Sequence, residues 1–177
     1  MVAGQIGEGL DGISKESFVQ SLKEPLNERN LWPANSSIRV LQEGSARGTL
    51  VGGCLSLVVA LLGTSQIPDF TDTILFLEDV NEAAYRIDRM LTQLKLAGIL
   101  KKVKALALGH FSGPEGEDLG PEVDRIVMDL TRDKRIPIIS GFPHGHVLPN
   151  LTIPHGAPVR LDTDRALLKV QLELDSA

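Results

Sequence analysis

Residues 74–98 limit the folds open to this chain more than any other stretch, because a strand signal and a helix signal follow each other there. The stretch opens with four apolar residues in a row, ILFL at 74–77, which is typical of a strand buried on both faces. The apolar positions that follow recur at near-helical spacing: Tyr85, Met90, Leu91, Leu94 and Ala97. Gly98 is placed to end that helix. A buried strand followed directly by a helix predicts an α/β fold.

Two carboxylates, Glu78 and Asp79, lie between this strand and this helix. As turn residues they would cap the helix, with Asn81 and Glu82 adding a further cap and an acidic first turn. As site residues they would line the crevice beyond the carboxyl ends of the strands, where open α/β sheets bind ligands. The stretch taken alone favours the capping interpretation.

The rest of the chain predicts a mixed sheet. A short helix capped by Ser14 should run to about Leu26, and CLSLVVALLG at 54–63 should form a buried helix. A third helix should follow Pro121. The further strand candidates are these: a strand beginning at Ile38, Thr49 to Val51, Lys104 to Leu108, Ile136 to Ile139, and a hairpin of Pro158 to Leu161 with Leu167 to Leu174 around a turn at Asp162 to Arg165. Alternating strands and helices in the middle predict a parallel central sheet, and the ends add antiparallel strands.

Composition excludes several classes of partner. Hydrophobic residues make up 42% of the chain and aromatic residues 4%, so the core must be aliphatic. A net charge of -5 argues against nucleic acid and anionic membranes as partners, since both attract basic proteins. The longest apolar run, at 55–62, is far shorter than the ~20 residues of a membrane span. The single cysteine, Cys54, allows no internal disulfide and fits a reducing cytoplasm.

A carboxylate and a histidine pair occupy corresponding places in the predicted sheet. Glu78 follows one central strand, and His144 and His146 follow another. If both strands belong to one parallel sheet, these groups lie at the same edge. A carboxylate beside a histidine fixes the imidazole tautomer and stabilises the imidazolium, as in nucleophilic catalysis. His110 and His155 are interpreted as surface or turn residues, although His110 could line the same crevice.

No nucleophile stands out in the sequence. The G-x-S-x-G pattern of a serine elbow is absent, which leaves Ser45, Ser56 and Ser140 as weak candidates. Cys54 follows a glycine pair at a predicted helix start, where its pKa could be lowered, although most cysteines in apolar segments are simply buried.

Two other sites stay open at this point. His144 and His146 could hold a metal ion together with Glu78 or Asp79. The glycines before the second helix, Gly48, Gly52 and Gly53, could cradle an anion.

Several segments together resemble the C-terminal part of the LD-carboxypeptidases, serine peptidases of peptidoglycan recycling whose family includes microcin-immunity proteins. The segments span most of residues 45–162: SARGTLVGGCLSLVVALLGT, DTILFLEDVNEAAYRIDRMLTQLKLAGIL, LALGHF and GFPHGHVLPNLTIPHGAPVRLD. LEDV followed by YRIDRML is the most specific of them. The resemblance implies a swivelling β/β/α-type domain that supplies the glutamate and the histidine of a Ser–Glu–His triad. On this chain they fall on Glu78 and His146, whereas His144 takes a place that is often aromatic or apolar in relatives.

The resemblance also carries expectations about the whole chain. It implies a muropeptide or related peptide as substrate, from which the terminal D-alanine is hydrolysed, and no cofactor. Relatives carry their serine in an N-terminal domain, so this chain resembles a C-terminal fragment, and we expect it to have little activity alone. Residues 1–36 would be a linker-like start with a short helix, and residues 37–177 the domain itself. Relatives also have asparagine where this chain has Cys54.

Two further functions remain as alternatives. The domain could be a non-catalytic binding or assembly module, a homodimer through surfaces that the missing domain would cover. It could also be a metal hydrolase that uses His144 and His146.

Overall fold

The computed structural model describes residues 7, 9–23, 29–33 and 36–171. Its helices and strands follow one another in this order: α1 (Gly12–Lys23), β1 (Arg39–Gln42), β2 (Ser45–Cys54), α2 (Leu55–Ala60), β3 (Thr73–Asp79), α3 (Ala84–Leu96), α4 (Ile99–Lys102), β4 (Ala105–Phe111), α5 (Gly120–Thr131), β5 (Ile138–Ser140), β6 (Pro158–Asp162) and β7 (Leu167–Val170). Across the described ranges, no helix has both the length and the apolar character needed to cross a membrane.

All seven strands form one sheet in the order β1-β5-β4-β3-β2-β6-β7. The four central strands, β2 to β5, pair in parallel with their sequence neighbours. The flanking pairs β1–β5, β2–β6 and β6–β7 are antiparallel. This architecture confirms the predicted α/β class, with a parallel centre and antiparallel strands at both ends.

The helices between the parallel strands cover one face of the sheet. Strands that follow each other in unbroken spatial order require every crossover to pass on the same side. The larger of the two hydrophobic cores accordingly joins the strands to the helices, with Leu91 of α3 and Val123 of α5 among its buried members. Leu75 and Leu77 of β3 point into this core.

Irregular segments cover much of the opposite face. Because side chains alternate along a strand, Ile74 and Phe76 of β3 point away from the helices into a second core. That core contains Leu31 and Trp32 from the segment before β1, and Phe142 from the segment after β5. Glu78 continues the series of Ile74 and Phe76, so its side chain leaves the sheet on this second face.

Several predicted details were wrong. Asp11, three residues before the predicted cap, is the N-cap of α1: its Oδ1 accepts hydrogen bonds from the backbone N–H groups of Ile13 and Ser14 at 3.0 and 3.1 Å. Helix α3 begins without a side-chain cap, after Ala83. Tyr85 is 65% exposed, since the inward positions of α3 are Ile87, Leu91 and Leu94.

Other predicted boundaries need only adjustment. The strand expected at Thr49 to Val51 extends over the whole of β2, so the glycine pair 52–53 lies inside it. The predicted hairpin is confirmed in β6 and β7, although residues 172–174 of its second strand fall outside the described residues. The same holds for the predicted end of α1 beyond Lys23.

Candidate active site

The carboxyl ends of β3, β4 and β5 meet at one edge of the sheet, as the parallel pairing requires. Glu78 lies at the end of β3. Residues 143–151, which we call the histidine loop, follow β5 and pass over the end of β4, where the backbone N–H of His110 donates to the carbonyl oxygen of His144 at 3.2 Å. The loop thereby reaches across one strand and brings His146 to Glu78.

Glu78 and His146 form a direct hydrogen bond. Nδ1 of His146 lies 2.9 Å from Oε2 of Glu78. A carboxylate can only accept, so Nδ1 carries the proton in this contact. The Glu78 side chain is 2% exposed and that of His146 is 38% exposed. Within the described parts of the chain, no hydrogen-bonding partner lies at Nε2, so its lone pair is unpaired on a side chain that is partly exposed.

Glycine at position 145 is what allows this approach. Gly145 has a φ of 120°, which L side chains rarely adopt, and a Cβ there would lie 2.7 Å from Oε2 of Glu78. Gly109, at the end of β4, meets a similar limit, because its Cβ would lie 2.6 Å from the carbonyl oxygen of His144. The loop can therefore pack against Glu78 only because positions 109 and 145 are both glycines.

His144 points to a different partner from His146. Its Nδ1 bonds the carbonyl oxygen of Leu151 at the far end of the loop, and its ring packs edge-on against Phe76 with centroids 4.9 Å apart. Burial is the main cause that lowers the pKa of His144, although the bond to Leu151 opposes it. A neutral imidazole held in this way closes the loop and is not directed at the accessible surface.

Asp79, the other carboxylate, lies on the helix side of the sheet. Its Oδ2 accepts the backbone N–H of Ser56 at 2.8 Å, and its Oδ1 accepts that of Val80 at 2.9 Å. Ser56 is in the first turn of α2, so Asp79 caps the helix of the preceding strand–helix unit. The prediction that Asp79 caps α3 was therefore wrong in its target, although capping was the right function.

The glycine cradle and the activated cysteine are both contradicted. Gly52 lies within β2, where a Cβ would come 1.8 Å from the carbonyl oxygen of Phe76, so the glycine serves the close approach of β2 to β3. The group at the start of α2 is the protein's own Asp79 carboxylate. Burial raises the pKa of the Cys54 thiol, and the nearby negative charge of Asp79 raises it further.

The serine candidates are engaged elsewhere. Ser140 is 2% exposed, and its Oγ accepts a hydrogen bond from Arg39 at 3.0 Å. Oγ of Ser45 accepts from Arg160 at 3.3 Å at the start of β2, the end of the strand away from Glu78. Oγ of Ser56 lies 3.1 Å from Sγ of Cys54. None of the three is hydrogen-bonded to His146.

The metal alternative finds little support in the geometry. No group of three or more potential ligands that could hold an ion occurs among the residues that the structure describes. His144 and Asp79 are directed away from His146 by the contacts above. His110, interpreted from the sequence as a surface residue that could line the crevice, lines a neighbouring cavity of about 240 Å³ that includes Arg39 and Asp118. His155 lies in a turn and accepts the Gly52 N–H at 3.3 Å.

Two residues near the site were missed in the sequence. Asn150 is 9% exposed, and its Oδ1 accepts the Gly145 N–H at 3.2 Å. Ser14 accepts the backbone N–H of Asn150 at 2.8 Å. The only local signal was the pair Asp11 and Ser14 at capping spacing, which indicates a helix start and gives no hint of a partner so distant in sequence.

Residues 47–161 match the family model described as the LD-carboxypeptidase C-terminal domain. This chain belongs to the LD-carboxypeptidase family. A putative carboxypeptidase of Synechocystis is 42% identical over 129 residues, which are 72% of this chain and 43% of that protein. The family prediction is thus confirmed.

Solved structures agree with the family assignment. The muramoyltetrapeptide carboxypeptidase of Oxalobacter formigenes matches with a TM-score of 0.73 and 32% identity, over 91% of this chain and 55% of that one. The microcin C7 self-immunity protein MccF in complex with glutamyl sulfamoyl guanosine matches with a TM-score of 0.76 over 90% of this chain and 55% of that one. At 23% identity the second match shows the fold alone. The LD-carboxypeptidase domain described here thus spans about half the length of these relatives.

Proposed function

We propose that this chain supplies the general base and its orienting carboxylate to a serine-type LD-carboxypeptidase, which removes the terminal D-alanine from peptidoglycan-derived tetrapeptides. The observation that carries the proposal is the 2.9 Å contact between Glu78 Oε2 and His146 Nδ1. It joins a buried acceptor to a partly exposed imidazole whose other nitrogen has no hydrogen-bonding partner among the described residues. This is the arrangement in which a carboxylate orients a catalytic histidine.

The chemistry would use Nε2 of His146 twice in each half of the reaction. Nε2 takes the proton of the serine hydroxyl as the oxygen attacks the carbonyl carbon that precedes D-alanine, and Glu78 stabilises the imidazolium. The proton then passes to the amine of the departing D-alanine as the peptide bond breaks. Water attacks the acyl-enzyme, His146 takes a proton from it, and the serine oxygen recovers that proton on release. The serine would come from the N-terminal domain that the family resemblance implies.

The substrate class rests on the relatives. The Oxalobacter relative, named a muramoyltetrapeptide carboxypeptidase, is 32% identical over nearly the whole chain. The microcin-immunity protein MccF, which is similar to this chain and was solved with glutamyl sulfamoyl guanosine, makes that compound the second substrate to test. We also propose a cytoplasmic location, because a single cysteine fits a reducing compartment. The homodimer and the division at residues 36 and 37 stay predictions, which sedimentation and limited proteolysis would measure.

A chimera tests the function directly. The part of the Oxalobacter enzyme that this chain does not cover is joined to this chain, and D-alanine release from an L,D-tetrapeptide is measured. We expect turnover by the chimera that falls about 10²–10⁴-fold in His146→Gln, the range of general acid–base catalysis. Glu78→Gln should also lower kcat, since the imidazole loses its orienting charge.

The matched control is His155→Gln, which removes an imidazole near β2 and should leave turnover unchanged. A chimera that turns over equally well with His146→Gln would contradict the proposal. Turnover of glutamyl sulfamoyl guanosine, without any release of D-alanine from the tetrapeptide, would support His146 as the general base but contradict the tetrapeptide as substrate.

A further inference from the structure

Helix α1 contacts the histidine loop through its buried serines. Ser14 is 1% exposed and Ser17 is 5% exposed, which is unusual for hydroxyls on a helix that also shows Ile13 and Leu22 to solvent. Oγ of Ser14 accepts the N–H of Asn150 at 2.8 Å, and Oγ of Ser17 accepts the N–H of Thr152 at 3.0 Å. The helix thus holds Asn150 of the loop, and Thr152 just after the loop, by their backbone N–H groups.

These bonds form one connected path from α1 to the residue before His146. The Ser14 hydroxyl donates its proton to Oδ2 of Asp11, so its oxygen is free to accept the N–H of Asn150. Oδ1 of Asn150 in turn accepts the N–H of Gly145 at 3.2 Å. Each donor and acceptor in this path has a defined direction, because Asp11 as a carboxylate can only accept. The hydrogen bonds that Asp11 accepts from the hydroxyl and the backbone N–H of Ser14 hold the pKa of Asp11 below its usual value.

The loop is also closed on itself at its base. The N–H of Leu151 donates to the carbonyl oxygen of Pro143 at 2.8 Å, and the ring of His144 bonds the carbonyl oxygen of Leu151. His146 lies between these two ends. Its own side chain is held only by Glu78 among the described residues, so the direction of Nε2 depends on where the loop backbone places its Cα.

We propose that Ser14 and Asn150 are positioning residues for His146, and that α1 is therefore part of the active-site structure. The proposal rests on the proposed function of His146, but it concerns the geometry of the loop and can be measured without turnover. Gly145 is the weak point that needs such support, because glycine has the widest choice of backbone conformations. The Asn150 side chain holds the Gly145 N–H, and Ser14 holds Asn150.

The experiment uses the full chain and records the ring nitrogen shifts of His146 by NMR, with hydrogen exchange of the Gly145 and Asn150 amides. In the unmodified chain both amides should exchange slowly. Ser14→Ala should accelerate exchange of the Asn150 amide, and Asn150→Leu that of the Gly145 amide, each about five- to tenfold, the effect of losing one buried hydrogen bond. Ser14→Ala should also accelerate exchange of the Gly145 amide, because Ser14 no longer holds the backbone of Asn150. Both should also shift the His146 ring signals. Asn150→Asp keeps an oxygen acceptor and should restore the ring signals of the unmodified chain.

The matched control is Ser21→Ala in the same helix. Among the residues that the structure describes, the Ser21 hydroxyl bonds only carbonyl oxygens of its own helix, those of Ser17 and Phe18, so its loss should leave the His146 signals unchanged. Ring signals that respond equally to Ser21→Ala and Ser14→Ala would overturn the proposal. So would Gly145 and Asn150 amides that exchange, in the unmodified chain, as fast as a flexible peptide, which settles the matter even if the variants fail to fold.

The two proposals fail separately. If the chimera loses turnover with His146→Gln but Ser14→Ala leaves both turnover and ring signals intact, His146 is the base and α1 does not position it. If Ser14→Ala shifts the ring signals but His146→Gln keeps turnover, the hydrogen-bonded path from α1 does position His146, but His146 is not the general base.

Discussion

Two neighbouring carboxylates at the end of β3 have opposite surroundings, although both are at most 2% exposed. Asp79 lies on the helix side, where it is bonded to backbone N–H groups of Ser56 and Val80. Glu78 lies on the other side, where its partner is the side chain of His146. Alternation along one strand thus separates a carboxylate that stabilises the fold from a carboxylate that can orient a reacting group.

The largest expected effect is a loss of stability from a substitution on the Glu78 side of the sheet. Gly145→Ala should lower the free energy of unfolding by about 2–4 kcal/mol, because the new Cβ is strained at a positive φ and contacts the Glu78 carboxylate. Urea denaturation measures the change. Gly116→Ala is the control, since Gly116 also has a positive φ, of 81°, but no atom lies near its Cβ position. It should cost only about 1–2 kcal/mol, and equal losses in the two variants would show that contact with Glu78 is unimportant.

The next prediction compares the two carboxylates directly. Asp79→Asn should lower the free energy of unfolding by about 1–3 kcal/mol, because the charged acceptor at the start of α2 is lost. Glu78→Gln should change it by less than about 1 kcal/mol, since removing a buried charge offsets the weaker bond to His146. Denaturant titration of both variants measures the two changes in the free energy of unfolding. The reverse order would mean that Glu78 is mainly structural.

A smaller effect concerns acid stability on the Glu78 side. Burial lowers the pKa of His144 in the folded state, so the unfolded chain binds a proton at a pH where the folded chain does not. Stability should therefore fall as pH drops below about 6.5, the usual histidine pKa, by at most about 1.4 kcal/mol per pH unit for this group. Above that pH the group contributes no pH dependence.

His144→Phe should remove that part of the acid destabilisation, and thermal unfolding followed from pH 8 to pH 5 measures it. The charged neighbours that face His144 are Glu78, which opposes the shift, and His146, which adds to it. His155→Asn removes one exposed histidine as a control and should keep the acid destabilisation. An unchanged pH profile in His144→Phe would contradict the assignment.

The smallest expected effect tests the helix side. Alkylation of Cys54 by iodoacetamide near pH 8 should be slower in the folded chain than in urea, because the raised pKa leaves little thiolate. Asp79→Asn should accelerate the reaction about two- to fivefold by removing a nearby negative charge. Mass spectrometry gives both rates. A slower reaction in Asp79→Asn would show that the carboxylate does not oppose ionisation of the thiol.

The central strands and helices were predictable because their signals are local. The apolar run of β3 and the helical spacing that follows it depend on residues close in sequence, and parallel pairing follows from the alternation of strands and helices. The meeting of Glu78 with the histidine loop followed in turn, since groups after parallel strands share one sheet edge. The choice of His146 over His144 came from the family resemblance and not from the pattern.

The errors about Asp79 and Ser14 share a physical cause: each side chain has a partner distant in sequence. Asp79 looked like a cap for the helix that follows it, but the strand places it beside a helix that starts 24 residues earlier, at Leu55. Ser14 was predicted to be the N-cap because a serine hydroxyl can accept the free N–H groups of a helix. Asp11 is the N-cap instead, which leaves the Ser14 oxygen free to accept the N–H of Asn150. Local propensity gives the kinds of bond that a side chain can make, whereas the tertiary fold decides which of them it makes.

The cap that Asp79 provides has a consequence for the order of folding. Helix α2 has six residues, too few to be stable in isolation, and it starts directly after β2 with its first turn held by a carboxylate from β3. The helix should therefore gain its structure only once β2 and β3 have paired. In a φ-value study, truncations at Leu55 and at Asp79 should give similar values, which would mark β2, α2 and β3 as one cooperative folding unit.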